Sequence, residues 1–224
     1  YAMAGLVCVG VSVVTVAMSF AFLPEIQPSQ DTSVIRIVQP NAPQNEKWQQ
    51  GKAREFLDRQ LAFTRDGAPV DLVIWPETSV AFTINDVAPL AADAARGGAV
   101  MFGAQRFDAG RYYNALAVTG PQGITDVYEK HHLVPFGEYI PLGNQLGKIG
   151  IRGLAENDGG GFASGAAPKP MLVAGIGPVL ALICYESIFP HLSWMNDTRA
   201  NLIVVATNDA WFGQFAGPQQ HLAQ

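Results

Sequence analysis

The chain has 224 residues, a net charge of −5 at pH 7 and 15% charged residues, while 49% of its residues are hydrophobic. No cluster of Lys or Arg interrupts this pattern, which excludes a surface built to follow a phosphate backbone, so nucleic acid is not an expected partner. Without the first 23 residues about 200 remain, enough for one large domain with its own hydrophobic core.

The amino-terminal segment, residues 1–23, is apolar and carries no charged side chain. As an α-helix its apolar part would be about 33 Å long, at ~1.5 Å per residue, which is sufficient to cross a bilayer. A signal peptide is one alternative, but the segment has no basic start and is longer than the apolar part of most signal peptides. A buried core helix is the other. We predict a transmembrane helix over 1–23 and a polar linker over 24–32.

The residues around this segment also bear on the side of the membrane at which the domain lies. Glu25 and Asp31 come before the first cation, Arg36, and a lack of nearby Lys and Arg favours the non-cytoplasmic side. Of the two cysteines, Cys8 lies in the predicted membrane helix, so Cys184 would have no disulfide partner in an oxidising compartment. A free thiol in such a compartment indicates a functional role.

From Ser33 onward the chain reads as alternating strands and helices, with Asn45 as a candidate helix cap. The predicted strands are short apolar or β-branched runs, and they lie near 33–39, 70–75, 99–102, 112–118, 125–129, 178–184 and 202–206. Helices are predicted after Asn45 and near 87–96 and 190–199. Such alternation is typical of an α/β domain and by itself suggests a doubly wound parallel sheet.

Residues 141–170 form a long stretch that is rich in Gly and has no periodic pattern. In a compact domain a stretch of this kind is usually a lid or a mobile binding loop. A disordered spacer is the alternative, and the sequence leaves both open.

Three chemically active side chains follow three of the predicted strands. The strand near 70–75 breaks at Pro76 and leads to Glu77, the arm near 125–129 leads to Lys130, and the strand near 178–184 ends at Cys184. A cysteine has an ordinary pKa of about 8.5 and is mostly protonated at neutral pH. A carboxylate that accepts its proton and a cation that holds an oxyanion are the partners that a thiol nucleophile needs.

Each of these residues also has a purely structural interpretation. Cys184 could be a small core residue at a strand end, since buried cysteines often are. Glu77 could be a helix-start carboxylate satisfied by backbone donors, and Lys130 could be an exposed lysine, as most lysines are. The three residue types together, each at a strand end, favour the catalytic interpretation.

Longer motifs around these residues carry a family resemblance. Glu77 after Trp-Pro, Lys130 before His-His, and Cys184 before Tyr-Glu match the Glu-Lys-Cys triad of the nitrilase, or carbon-nitrogen hydrolase, superfamily. The motifs Leu-Val-Pro-Phe-Gly-Glu-Tyr-Ile-Pro and Thr-Asn-Asp-Ala-Trp-Phe-Gly, with Gly-Pro-Gln-Gln-His-Leu after them, resemble the bacterial apolipoprotein N-acyltransferase family. The resemblance covers residues 33–224.

The resemblance implies a nitrilase-like four-layer α-β-β-α sandwich, preceded by one transmembrane helix that is the last part of a longer membrane region. It also implies that the catalytic domain, 33–224, is truncated at its C-terminus. The implied activity moves an acyl chain from a phospholipid, through a thioester on Cys184, to the terminal amine of a diacylglyceryl-cysteine lipoprotein. Glu77 would be the base and Lys130 the oxyanion stabiliser. The implied location is the bacterial inner membrane, with the domain on the periplasmic side.

Further residues have secondary expectations. Glu138 and Glu186 are candidates to orient Lys130 or the base, and structural ion pairs are the alternative for both. Tyr185, Asn208 and Trp211 are expected to bind substrate. The only histidine cluster is the pair at 131–132, whereas a zinc site draws three or four ligands, so neither a metal nor a cofactor is predicted.

Two other functions remain open at this stage. A membrane-tethered amidohydrolase would use the same Glu-Lys-Cys triad with water as the acceptor. A domain without catalytic activity, which presents a lipid-facing groove to a partner, is the second alternative.

Overall fold

The computed structural model describes residues 2–21, 32–43, 45–141, 161–194, 198–212 and 216–223. The chain divides into two compact units, Tyr1–Thr32 and Ser33–Gln224. The first unit contains helix α1, Ala2–Ala21, which has no acidic residue in its first turn and no basic residue in its last turn. A search of the described residues finds no helix with both the length and the apolar character needed to cross a bilayer. The predicted transmembrane helix is therefore not confirmed, and the predicted linker over 24–32 lies, apart from Thr32, outside the described residues.

The second unit is built on a mixed sheet of five strands in the order β1-β2-β3-β4-β5. β1 and β2 run parallel to each other and to β3, and β4 and β5 follow as antiparallel neighbours. The strands are Ile35–Ile37, Leu72–Ile74, Ala99–Asp108, Arg111–Gly120 and Gly123–Glu129. The predicted strands before Lys130 thus correspond to observed ones.

Two helices, α2 (Lys52–Arg65) and α3 (Ile84–Ala95), cover one face of this sheet. Their apolar side chains pack with Trp75 and Phe102 in one buried cluster, as expected for amphipathic helices. The prediction that Asn45 caps the first of these helices was wrong. Residues 45–50 form turns, and Gly51, with φ of 91°, directly precedes the helix.

A second sheet has three strands, in the order β6-β7-β8, at Met171–Val173, Gly177–Ile183 and Leu202–Ala206. β7 is antiparallel to β6 and parallel to β8. Side chains of both sheets, such as Met101 and Ile183, share a second buried cluster, so the two sheets pack face to face. This arrangement replaces the single doubly wound sheet suggested by the alternation of elements and confirms two mixed sheets.

The second outer helical layer of the implied sandwich remains a prediction. After β7, the described residues contain two short α-helices, α4 (His191–Trp194) and α5 (Gly217–Leu222), and two 3₁₀-helices, Cys184–Ile188 and Asp209–Phe212. The helix predicted near 190–199 is thus one turn long where it is described, and residues 195–197 lie outside the described part. Residues 142–160 of the predicted lid also lie outside the described residues.

Candidate active site

The Glu77 turn follows β2 at the edge where the parallel strands end. Pro76 cannot donate to the sheet, and Thr78 takes the left-handed conformation with φ of 37°, so the chain leaves the strand sharply. Gly103 of β3 makes room for this turn, because a Cβ there would lie 2.4 Å from the carbonyl oxygen of Pro76. The carboxylate of Glu77 is consequently buried at the strand end.

Three side chains and one backbone N–H form a hydrogen-bonded network with this carboxylate. Asn114 Nδ2 donates to Glu77 Oε1 at 2.8 Å and to Glu138 Oε1 at 2.9 Å. Lys130 Nζ lies 3.4 Å from Glu77 Oε1 and 2.9 Å from Glu138 Oε2. The backbone N–H of Asn208 donates to Glu77 Oε2 at 3.1 Å. The two carboxylates thus share one cation and one amide.

Lys130 is 1% exposed, and its own backbone N–H is bonded to the carbonyl oxygen of Asn114 at 2.8 Å. Burial lowers the pKa of Lys130, but Glu77 and Glu138 outweigh that effect and leave its pKa above the ordinary value. Lys130 is therefore held as a permanent cation at the strand ends. Such a fixed charge can stabilise an oxyanion without reorganising.

The chain around Cys184 turns as sharply as the chain around Glu77. Cys184 follows β7 directly and has φ of 50°, a conformation that costs free energy for any residue other than glycine and that clusters at functional sites. Glu186 Oε2 accepts the backbone N–H of Ile183 at 2.7 Å, and Ser187 Oγ donates to the carbonyl oxygen of Cys184 at 3.0 Å. These bonds hold the strained turn in place.

Glu186 also connects this turn to the loop that carries Lys130. It is fully buried, and its Oε1 accepts bonds from Tyr128 Oη at 2.6 Å and from the backbone N–H groups of His131 at 2.8 Å and His132 at 3.0 Å. Burial and the Glu186 charge raise the pKa of Tyr128, so the phenol stays a donor. Glu186 is thus a positioning residue between the thiol and the loop of Lys130, and its described partners are neutral donors.

The thiol of Cys184 lies in the field of both charged partners. Burial and the Glu77 carboxylate raise the pKa of Cys184 to about 11, against the lowering effects of Lys130, the Thr207 hydroxyl and the backbone N–H of Tyr185. Cys184 is therefore a neutral thiol at neutral pH. A base would have to remove its proton before the sulfur could attack a substrate, and Glu77 is the carboxylate whose charge acts on this thiol.

A third group of polar residues, Thr207, Asp209 and His221, lies next to Cys184. His221 Nδ1 lies 2.8 Å from Asp209 Oδ1 and 3.3 Å from Thr207 Oγ1, and its Nε2 lies 3.4 Å from the carbonyl oxygen of Cys184. Thr207 Oγ1 donates to Asp209 Oδ1 at 2.8 Å and is also hydrogen-bonded to the thiol. This group fixes Thr207 against Cys184.

The structure brings the three predicted catalytic residues to one edge of the two sheets, as their strand-end positions suggested. Glu138 contacts Lys130, as expected, whereas Glu186 acts on the backbone and not on Lys130. The predicted substrate-binding residues have mixed outcomes. Tyr185 packs its ring 5.1 Å from that of Phe189, Asn208 contacts Glu77 through its backbone, and the side chain of Trp211 lies outside the described residues.

Several residues of this site were missed by the sequence reasoning. Asn114 lies inside β4, and its neighbours in sequence form no motif that indicates function. A single amide in a mainly apolar strand was the one feature that could have marked it as a site residue. Lys47 is buried near Glu77 although most lysines are exposed. Among the described residues, no group of three or more His, Cys, Asp or Glu side chains is arranged to hold a metal ion.

Comparisons with known proteins show the family to which the chain belongs. A sequence profile of the family described as carbon-nitrogen hydrolase matches residues 35–224. The chain is 34% identical, over 93% of its length, to "Apolipoprotein N-acyltransferase" of Brucella suis biovar 1 (strain 1330), and 36% identical, over 96%, to the protein of that name in Rhizobium rhizogenes (strain K84 / ATCC BAA-868). It spans 42% and 45% of these relatives.

Among solved structures, an amidase from Nesterenkonia sp. aligns with 88% of this chain and 75% of its own, with a TM-score of 0.49 and 17% identity.

Proposed function

The chain belongs to the carbon-nitrogen hydrolase family, and from this premise we propose that it forms the catalytic part of an N-acyltransferase that modifies lipoproteins. The observation that carries the proposal is the meeting of Glu77, Lys130 and Cys184 at one edge of the two sheets. The names of the relatives support acyl transfer to an apolipoprotein as the reaction.

The first half of the proposed reaction acylates the enzyme. Glu77 takes the proton of Cys184, and the thiolate attacks the carbonyl carbon of a phospholipid ester. Lys130 and the backbone N–H of Tyr185 are the proposed donors to the oxyanion that forms, since both act on the Cys184 thiol. The C–O bond of the ester then breaks, Glu77 returns its proton to the departing glycerol oxygen, and a lysophospholipid leaves a thioester on Cys184.

The second half transfers the acyl chain. The α-amine of a diacylglyceryl-cysteine attacks the thioester, Glu77 accepts a proton from the amine, and the C–S bond breaks to regenerate the Cys184 thiol. An amide on the acceptor is the product. Water would compete as the acceptor unless the site excludes it and holds the amine close.

The proposed location is the bacterial inner membrane, with the catalytic domain on the periplasmic side. The charge-free sequence of residues 1–23 and the acidic residues after it support this location. Labelling of the Cys184 thiol in intact spheroplasts with a membrane-impermeant maleimide, on a Cys8→Ala background, tests it. Labelling only after lysis would contradict the periplasmic side.

The first test is the intact mass of the full-length protein in detergent after incubation with phospholipid and no acceptor. We expect an acyl adduct that hydroxylamine removes in the wild type and no adduct in Cys184→Ala, because the thioester requires the thiol. A synthetic diacylglyceryl-cysteine peptide should then become N-acylated, with loss of the adduct. If fatty acid is released and the peptide stays unmodified, the protein is a hydrolase; if neither adduct nor lipid turnover occurs, it is not an acyltransferase.

A further inference from the structure

A cavity of about 690 Å³ lies beside the catalytic centre, at the ends of β1, β2 and β8. Its wall includes Glu77 and Thr207, which are also neighbours of the Cys184 thiol. The remaining wall is mainly apolar, with side chains such as Val38, Trp75 and Val205. Crevices at the ends of parallel strands are where ligands of α/β proteins usually bind. The mechanism above assigns no substrate group to this cavity.

Lys47 is the unexplained group in the wall of this cavity. It is 2% exposed, and among the described residues its ammonium donates one hydrogen bond, to the carbonyl oxygen of Thr78 at 2.7 Å. The Trp48 ring lies 5.5 Å from the same nitrogen. Within the described ranges, Lys47 forms no ion pair with a carboxylate. An ammonium has three donors, so two remain for a ligand.

A buried ammonium with so few partners is unfavourable in the absence of an anion. Burial lowers the pKa of Lys47 to about 8, although Glu77 acts in the opposite direction. The carboxylates in the cavity wall already have partners: Glu77 accepts from Asn114 and from the backbone of Asn208, and Asp209 from Thr207 and His221. The cation of the wall is therefore the group that a negatively charged ligand would meet.

We infer that this cavity binds the phosphodiester of the acyl donor, with Lys47 as its ligand, while the ester carbonyl reaches Cys184 past Glu77. This inference rests on the proposed function, because that reaction supplies the candidate ligands. A phospholipid carries its phosphate a few bonds from the scissile ester, and apolar walls suit the rest of the molecule. The acceptor presents an amine, which a buried ammonium would repel in its protonated form.

The test compares two acyl donors with identical chains in neutral detergent micelles, phosphatidylglycerol and the uncharged diacylglycerol. The readout is the rate of acyl-adduct formation on full-length protein as a function of donor concentration. Wild type should prefer phosphatidylglycerol by roughly tenfold to a hundredfold in kcat/KM, the discrimination expected of a charge-assisted hydrogen bond. Lys47→Met should lose this preference through a higher KM for phosphatidylglycerol, with little change for diacylglycerol.

Two further variants distinguish a role of Lys47 in phosphate binding from a purely structural role. Lys47→Arg keeps the charge and should retain part of the preference, whereas the exposed Lys52→Met should keep all of it. Equal losses on both donors in Lys47→Met would mean that Lys47 only fixes the Thr78 turn, and would overturn the inference. No preference in wild type would overturn it as well. Failure of wild type to form an adduct with either donor would instead overturn the proposed function.

Discussion

The two sides of the candidate site are held in different ways. On the side of the five-stranded sheet, Glu77, Lys130 and Glu138 are placed by ion pairs and by the amide of Asn114. On the side of the three-stranded sheet, Cys184 is placed by a strained backbone turn that hydrogen bonds to the side chains of Glu186 and Ser187 hold, without an ion pair among the described residues of the turn.

This difference follows from the work that each side would do. A group that stabilises an oxyanion must keep its charge, and the buried Lys130 ammonium keeps its charge beside the carboxylates of Glu77 and Glu138. A nucleophile must instead point toward the carbon that it attacks. A fixed backbone conformation orients a short side chain better than contacts with flexible side chains do. The comparison predicts that mutations on the first side act through charge and that those on the second act through geometry.

The largest effect is expected from Lys130→Met. This change leaves the buried carboxylate of Glu77 and the partly buried one of Glu138 in one site without a cation, so the unfolding free energy should fall by roughly 3–5 kcal/mol. Acyl-adduct formation should fall roughly a hundredfold to a thousandfold, as for loss of an oxyanion donor. Urea denaturation and adduct mass spectrometry measure the two quantities.

The double variant Lys130→Met/Glu138→Gln is the control for this effect. It removes one of the two opposing carboxylates and should regain part of the stability while activity stays low. The exposed Lys52→Met should leave the melting temperature unchanged. If the double variant is no more stable than Lys130→Met, charge does not hold this side together.

A smaller effect is expected from Glu186→Gln. The amide of Gln places an N–H₂ where Glu186 now accepts bonds from Ile183 or from the loop at His131 and His132, so at least one buried donor loses its acceptor. The unfolding free energy should fall by about 2–4 kcal/mol. Adduct formation should slow through a lower kcat with an unchanged KM, since the turn, and not the substrate contacts, is disturbed.

Glu138→Gln is the matched variant on the other side. It leaves the Cys184 turn intact and should change the pH profile of acylation, because it removes a charge beside Lys130. If Glu186→Gln shifts the pH profile and Glu138→Gln does not, the assignment of the two sides is reversed.

The sequence indicated the candidate catalytic residues more readily than the residues that hold them in place. Glu77 and Cys184 come at the ends of apolar runs and Lys130 follows a short strand-like arm, and such segments show where a strand ends. The partners of Glu186 were not predictable, because they depend on Ile183, Tyr128 and His131 meeting across two sheets. The start of α2 was misplaced because the conformation of Gly51, which ends the preceding turns, is not visible in periodicity.

The pairing of the sheets was likewise inaccessible to local patterns. Alternating strands and helices fit one doubly wound sheet as well as two packed sheets, and only the family resemblance favoured the second. Lys47 shows the same limit at the level of one side chain. Its burial depends on the contact of Lys47 with the Thr78 turn, and no spacing in the sequence indicates that contact.

The smallest effect is expected at the Cys184 thiol, where the two sides of the site meet. With its pKa raised to about 11, Cys184 should react with iodoacetamide slowly at pH 7 and about tenfold faster for each pH unit up to that value. Because the Glu77 carboxylate contributes to the raised pKa, Glu77→Gln should lower it and speed alkylation at pH 8 severalfold, even though acylation is lost.

Within residues 1–224, a Cys8→Ala background leaves Cys184 as the only thiol for this measurement, and Glu138→Gln is the matched carboxylate control. If Cys184 is alkylated more slowly in Glu77→Gln than in its parent, Glu77 already accepts the thiol proton in the resting enzyme. Proton transfer between the two sides would then precede substrate binding. Faster alkylation means that proton transfer occurs only after the substrate binds. Glu77 would then raise the pKa of Cys184 in the resting enzyme and accept its proton only during the reaction.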